Sequence, residues 1–235
     1  MKMIKNFIIA FLLTFFTLNS AVAVNKKARP TAYINTVHAV MLCEVGSTLA
    51  NCLNPVTFGE SSAGKAMDLG VVGSAVSFGS AGLIPSGRTY THGQVILNRA
   101  FTVTGSVDTT ASVTCKTGGD AGTLSAGGAT DNSDAASAQV LYATNGTGNG
   151  EHVNSTSAVS QGTDAAAGTY SAGHDFMKFR WALSQSLNVT VGKIPSMTIS
   201  FDLSEALEFQ DGGGNGACDG NDFYPGKPVV TNSFE

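Results

Sequence analysis

Two kinds of hydrophobic pattern divide this chain. Residues 7–18 are an almost unbroken apolar run, whereas beyond residue 30 apolar and polar positions alternate over short segments separated by turn residues. Alternation with period two marks a strand with one buried face. In residues 31–43, Ile34, Val40 and Leu42 share one parity while Tyr33, Val37 and Met41 share the other, which predicts a strand buried on both faces. Short strands are predicted at 56–58 and 66–69. The longest alternation covers 95–103, with Val95, Leu97, Phe101 and Val103 pointing one way, and a further strand is predicted at 111–116. The pattern returns at 176–183, 187–191, 197–203 and 229–234. In the third of these, Met197, Ile199, Phe201 and Leu203 alternate with Thr198, Ser200 and Asp202. Residues 204–209 predict one helical turn, and no longer stretch carries helical periodicity. Strands throughout, with frequent turn signals, predict an all-β protein: an antiparallel β-sandwich, immunoglobulin-like or jelly-roll-like.

Between residues 117 and 175 the composition shifts to Gly, Ala, Ser, Thr, Asn and Asp, broken by Gln139-Val-Leu-Tyr142. It reads as a turn-rich, mobile insertion holding one or two strands within a single domain spanning 24–235.

The apolar run near the start is preceded by Lys2 and Lys5 and followed by Ala21-Val22-Ala23, a small-x-small cleavage pattern. That order predicts a signal peptide over 1–23 and an exported mature chain, in the periplasm, at the cell surface or outside the cell. No cysteine at the cut argues for a lipid anchor, and no later apolar stretch reaches the length of a membrane helix. Loss of Lys2 and Lys5 lowers the 13 basic residues to 11 against 17 acidic ones, a net charge of −6. Such a surface excludes nucleic acid as a partner, because phosphate binding needs clustered Lys and Arg.

All four cysteines lie beyond the leader, and an even count in an oxidising compartment predicts two disulfides. Four cysteines allow three pairings; the favoured one joins Cys43 to Cys52 as a local clip and Cys115 to Cys218 across a long loop. Zinc held by cysteines would need closely paired knuckles, which this spacing lacks.

Ile84-Pro-Ser-Gly-Arg-Thr-Tyr90 ahead of a long strand resembles an inter-sheet corner of exported immunoglobulin-like and prealbumin-like sandwiches. The resemblance implies that the Tyr90 hydroxyl satisfies backbone groups at the bend. Taken with the leader, the Cys43/Cys52 spacing before Asn54-Pro55-Val56 and the Phe201-Asp202 strand, the chain resembles exported all-β proteins of Gram-negative bacteria. This resemblance implies a fold and an address, and no activity.

The strongest candidate chemistry is the run from Asp211 to Asp222, where three aspartates and two asparagines are interspersed with glycines. On the twelve-residue calcium-loop pattern, Asp211 falls at position 1, Asn215 at 5, Asp219 at 9 and Asp222 at 12. Position 3 is Gly213, which has no side-chain ligand, so an acidic turn tied down through Cys218 is the competing reading. Ser62-Ala-Gly-Lys65 and Lys116-Thr-Gly118 match two short signatures of serine β-lactamases, but no helical pattern stands behind the serine. His38, His92, His152 and His174 form no metal motif along the chain, and no catalytic residue is nominated. Phe179 and Trp181 share a strand face, as core or as a sugar-stacking platform. Asn145, Asn154 and Asn188 begin N-x-S/T triplets that read as accidents of composition beside a bacterial-looking leader.

The expected function is a secreted or cell-surface, non-catalytic structural or adhesive protein, a subunit of an extracellular assembly. Its partners would be a second copy, through strand exchange of segments 24–43 and 229–234, or a surface glycan or protein. A carbohydrate- or calcium-binding exported module is the alternative. An outer-membrane barrel ending near Phe234, or a hydrolase, comes after it. No cofactor is expected, calcium excepted.

Overall fold

The computed structural model describes residues 25–71, 84–109, 113–132, 134–143, 152–155, 175–191 and 197–234. Among these residues fourteen strands run in chain order: β1 Lys26–Ala28, β2 Ala32–Glu44, β3 Val56–Asp68, β4 Thr89–Asn98, β5 Ala100–Thr104, β6 Ser106–Asp108, β7 Thr114–Lys116, β8 Gln139–Tyr142, β9 His152–Ser155, β10 Phe176–Asn188, β11 Met197–Asp202, β12 Leu207–Phe209, β13 Phe223–Pro225 and β14 Val229–Phe234. Every pairing among these strands is antiparallel and no described residue is helical. The protein is all-β, and its layering is consistent with a sandwich.

Strand β2 is the spine. One of its edges pairs with β3; the other pairs first with β5 and then with β4, and β4 continues to β10 and β9 while β5 continues to β8. Three small sheets, β1-β12-β13, β11-β14 and β6-β7, account for the other described strands. One apolar core is shared between the large sheet and the small ones: Tyr33, Val40, Leu97, Phe101 and Trp181 contribute from the large sheet, Val107, Leu207, Phe209 and Phe223 from the others. Trp181 lies across from Gly93, where any Cβ would sit 2.2 Å from the indole. Its burial beside Phe179, with ring centroids 6.4 Å apart and planes 20° from parallel, makes this pair core and leaves no face for a sugar.

Several boundaries differ from the pattern-based expectation. The two short strands expected at 56–58 and 66–69 are one strand, β3, because β2 offers a ladder along its whole length and two register shifts absorb the intervening residues. The segments 176–183 and 187–191 likewise merge into β10, with the irregularity between Ala182 and Leu187. The alternation at 95–103 is instead broken at Arg99, dividing β4 from β5. The helical turn expected at 204–209 is a turn followed by β12, since Leu207 and Phe209 alternate into the core. The first part of the insertion, through residue 143, is tied down. Gln139 is buried, donates to the carbonyls of Asp120 and Ala129 at 2.6 Å each and accepts from the Gly118 amide at 3.1 Å. The strands expected within the insertion are β8 and β9; residues 144–151 and 156–174 lie outside the described residues.

Both disulfides form as paired in sequence, Cys43–Cys52 and Cys115–Cys218, with Cα separations of 5.1 and 5.3 Å. Two closed disulfides suggest an oxidising, exported environment. No helix among the described residues is long and apolar enough to cross a membrane.

Candidate functional site

The chain leaves β12 at Gln210 and re-enters the sheet at β13. The Gln210 amide donates to the Asp222 carbonyl at 2.8 Å, closing the residues between them into a loop. Within it Asp211 is only 4% exposed, and its Oδ2 accepts from the Gly216 amide at 2.7 Å. Gly216 sits at φ 71°, a left-handed conformation that costs other residues dearly. Its amide is thereby available to Asp211 while its carbonyl accepts from the buried Thr109 hydroxyl at 2.7 Å. Cys218 anchors the same loop to β7 through Cys115. Local turn chemistry and a covalent staple together hold the acidic residues in place.

The four residues nominated from sequence divide into two pairs. Asn215 and Asp219 are exposed and bonded to each other, Asn215 Nδ2 donating to Asp219 Oδ2 at 2.9 Å, while Asn215 Oδ1 accepts from the Ala217 amide at 2.8 Å. Asp211 and Asp222 are buried. Burial raises the Asp222 carboxyl above its ordinary value, the Gly212 amide hydrogen bond opposes that, and the charges of Asp219 and Asp211 push it further up. The Oδ1 atom of Asp211 is buried and has no hydrogen-bond partner. A buried carboxylate oxygen without a donor is unfavourable, so this is the most strained electrostatic feature of the loop. Among the described residues no three His, Cys, Asp or Glu side chains converge closely enough to hold a metal by themselves.

The histidines are scattered. His38 is the extra residue of β2 at its register shift against β4, and residues 61–64 of β3 bulge opposite it on the other side. Its Nε2 lies 2.8 Å from Asn98 Oδ1, its Nδ1 lies 3.3 Å from the Ser61 carbonyl, and its ring meets Phe176 edge-on at 5.1 Å. His92 is in β4 with Nδ1 3.0 Å from the Thr91 hydroxyl, and burial lowers its proton affinity. His152 is described only as backbone of β9, and His174 lies outside the described residues. Ser62 and Lys65 are extended within β3, so that segment has no helical turn bringing lysine over serine. Asn188, at the end of β10, accepts from the Thr89 hydroxyl at 2.7 Å; Asn145 lies outside the described residues and Asn154 is described only as backbone.

Reasoning from the pattern missed a buried polar row on the second face of the large sheet. Met41, Gln94 and Arg180 stand opposite one another on β2, β4 and β10. Gln94 Nε2 donates to Met41 Sδ at 3.1 Å, Arg180 Nε donates to Gln94 Oε1 at 2.6 Å, and Arg180 Nη1 reaches the Ala50 carbonyl at 3.2 Å. The available signal was the parity of Lys178 and Arg180 within an otherwise apolar strand.

No family model matches this chain, and no curated protein or solved structure does. The functional reading therefore rests on the geometry of the chain itself.

Proposed function

We propose that this is an exported, non-catalytic structural or adhesive β-protein that assembles with copies of itself by exchanging its last strand. The observation that carries the reading is the construction of the β11–β14 ribbon. Among the described strands, β14 pairs only with β11, over six register positions from Met197↔Phe234 to Asp202↔Val229. Met197, Ile199, Phe201, Val230 and Phe234 pack against the core yet stay half-exposed, and Val229 is 60% exposed. The ribbon's polar contacts with β10 centre on one residue pair: Asn232 Oδ1 accepts from the Ser184 amide at 3.0 Å, and the Ser184 hydroxyl lies 3.5 Å from both Asn232 Oδ1 and the Asn232 amide, at the irregular stretch of that strand. Neither disulfide includes it. A half-covered apolar strand with few anchors is the kind of element that can be supplied by a neighbouring molecule at little cost.

The experiment introduces cysteines at Ser200 and Thr231, which are register partners in the ribbon. Strand exchange predicts disulfide-linked oligomers on a non-reducing gel and concentration-dependent growth in light scattering after size exclusion. Linkage confined within one chain, together with a strict monomer at high concentration, overturns the reading.

A further inference from the structure

We infer that Asn232 is the residue by which the groove beside β10 selects and registers the last strand, through the backbone amide of Ser184. This rests on the strand-exchange reading and names what an incoming strand must carry.

The face that β11 and β14 turn toward the core is apolar at every position but one. Met197, Ile199 and Phe201 come from β11, Val230 and Phe234 from β14, and all five pack half-buried against the core. Asn232 stands between Val230 and Phe234, directly opposite Ile199, and is 8% exposed. Its Oδ1 accepts from the Ser184 amide at 3.0 Å, while its Nδ2 is buried with no hydrogen-bond partner. A valine there would fill the row and leave no buried amino group unsatisfied, so the asparagine costs stability.

What it supplies is register. An apolar row that repeats every second residue tolerates a slip of two positions, because the same face stays buried. The polar contact does not slip. Strand β10 leaves its ladder with β4 between Ala182 and Leu187, and in that gap Ser184 offers its amide to Asn232. A slip of two would bring Val230 or Phe234 to this amide, and neither side chain can accept a hydrogen bond. A single buried asparagine fixes register in the same way in coiled coils.

Within one closed chain this contact is redundant. Residues 226–228 alone separate the Leu207↔Pro225 pair from the Asp202↔Val229 pair. The Gly226 amide donates to the Ala206 carbonyl at 2.8 Å, so the short connection already sets where β14 begins. A strand arriving from a second copy has no such tether, and Asn232 is then the one polar mark on its buried face. The partner is a strand reading apolar-x-Asn-x-apolar, which in this chain is Val230 to Phe234.

The test combines cysteine at Ser200 in turn with cysteine at Val229, Thr231 or Ser233 in the full mature chain. All four positions are exposed, and of the three Thr231 is the register partner of Ser200. Non-reducing gels report whether a link joins one chain or two, and peptide mass mapping identifies the linked residues. With Asn232 in place, links should join two chains and form at 231. Asn232→Leu should raise the links at 229 and 233 about tenfold, the factor that corresponds to one lost hydrogen bond. Asn232→Asp, which keeps the acceptor, should hold the link at 231. Asn232→Val, a good strand former, repeats the measurement if leucine prevents folding. Links between chains that stay at 231 in the Leu and Val variants would overturn the register role alone, as would equal linkage at all three positions with Asn232 present. Links within one chain only would overturn strand exchange and this inference with it.

Discussion

The hydroxyl of Tyr33 donates to the carbonyl of Gly226 at 2.7 Å, joining β2 to the turn after β13 across 193 residues of chain. Tyr33 is fully buried, its ring lies 5.0 Å from that of Phe101, and burial pushes the ionisation of its hydroxyl far up, so the proton stays in this bond. Gly226 is held from the other side as well. Its amide donates to the Ala206 carbonyl at 2.8 Å, and a Cβ there would sit 2.3 Å from the Glu205 carbonyl oxygen. Tyr90, the tyrosine singled out by the corner motif, is equally buried, but its hydroxyl has no partner. The backbone-tying role expected of Tyr90 thus belongs to Tyr33.

These two tyrosines should respond oppositely to loss of the hydroxyl. Tyr33→Phe strands a buried carbonyl and should cost about 1–3 kcal/mol in denaturant unfolding. Tyr90→Phe removes an unsatisfied buried oxygen and should be neutral or stabilising. Equal losses in the two variants would show that the hydroxyls matter through packing alone.

The two disulfides should differ in weight. Cys115–Cys218 spans 103 residues of sequence and Cys43–Cys52 spans 9. On the chain-entropy model the long link contributes about 4–5 kcal/mol and the short one about 2.5–3. The short link is also backed by local bonds, from the Glu44 amide to the Leu53 carbonyl at 2.9 Å and between Thr48 and Asn51. Paired Cys→Ala variants, compared by thermal melting, should show the larger fall for Cys115/Cys218.

Elements with sustained alternation were legible from the chain itself. Residues 31–43 became β2 with a shift of one residue, 229–234 became β14, and the Met197/Ile199/Phe201 parity matches the half-buried face of β11. Strands β1, β6, β12 and β13 have three residues each, too few for a period to register, and they exist because the large sheet presents an apolar face for them to cover. Asn35 carried no signal either. Its Nδ2 donates to the carbonyls of Asn98 and Ala100, at 2.9 and 3.1 Å, and so stitches the break between β4 and β5. In the acidic loop the residue types were readable, but which aspartates turn inward depends on Gly216, Thr109 and Cys218, and linear spacing encodes none of that.

Arg99 at the same break should be intolerant of change. It is 0% exposed; its Nε donates to the Ala143 carbonyl at 2.8 Å, while Nη2 donates to that carbonyl and reaches Leu124 O at 3.3 Å. Its own amide and carbonyl pair with Asp175 and Ala143. One guanidinium therefore fastens the end of β8 and the 124 turn to the point where β4 becomes β5. Arg99→Met should cost about 3–5 kcal/mol, and Arg99→Lys should rescue little because an ammonium lacks the planar fork. Full stability in Arg99→Lys would reduce the role to charge alone.

The pH dependence of stability should carry the mark of Asp222. Burial, aided by Asp219 and Asp211, raises its carboxyl above the ordinary 3.8, so the folded state holds this proton more tightly than the unfolded chain. The stability due to Asp222 is then fully present below 3.8 and is lost as pH rises through the higher folded value. His92 acts in a separate window. Burial lowers its affinity for a proton below the ordinary 6.5, so its contribution is present above that value and declines as pH falls through it. The difference in melting temperature between Asp222→Asn and wild type cancels His92 and isolates the carboxylate. That difference should grow in favour of the variant from about pH 4 to pH 7, because asparagine removes the like-charge repulsion while keeping an acceptor for Gly212. A difference that stays flat with pH would mean that Asp222 is no more reluctant to ionise in the fold than in the unfolded chain.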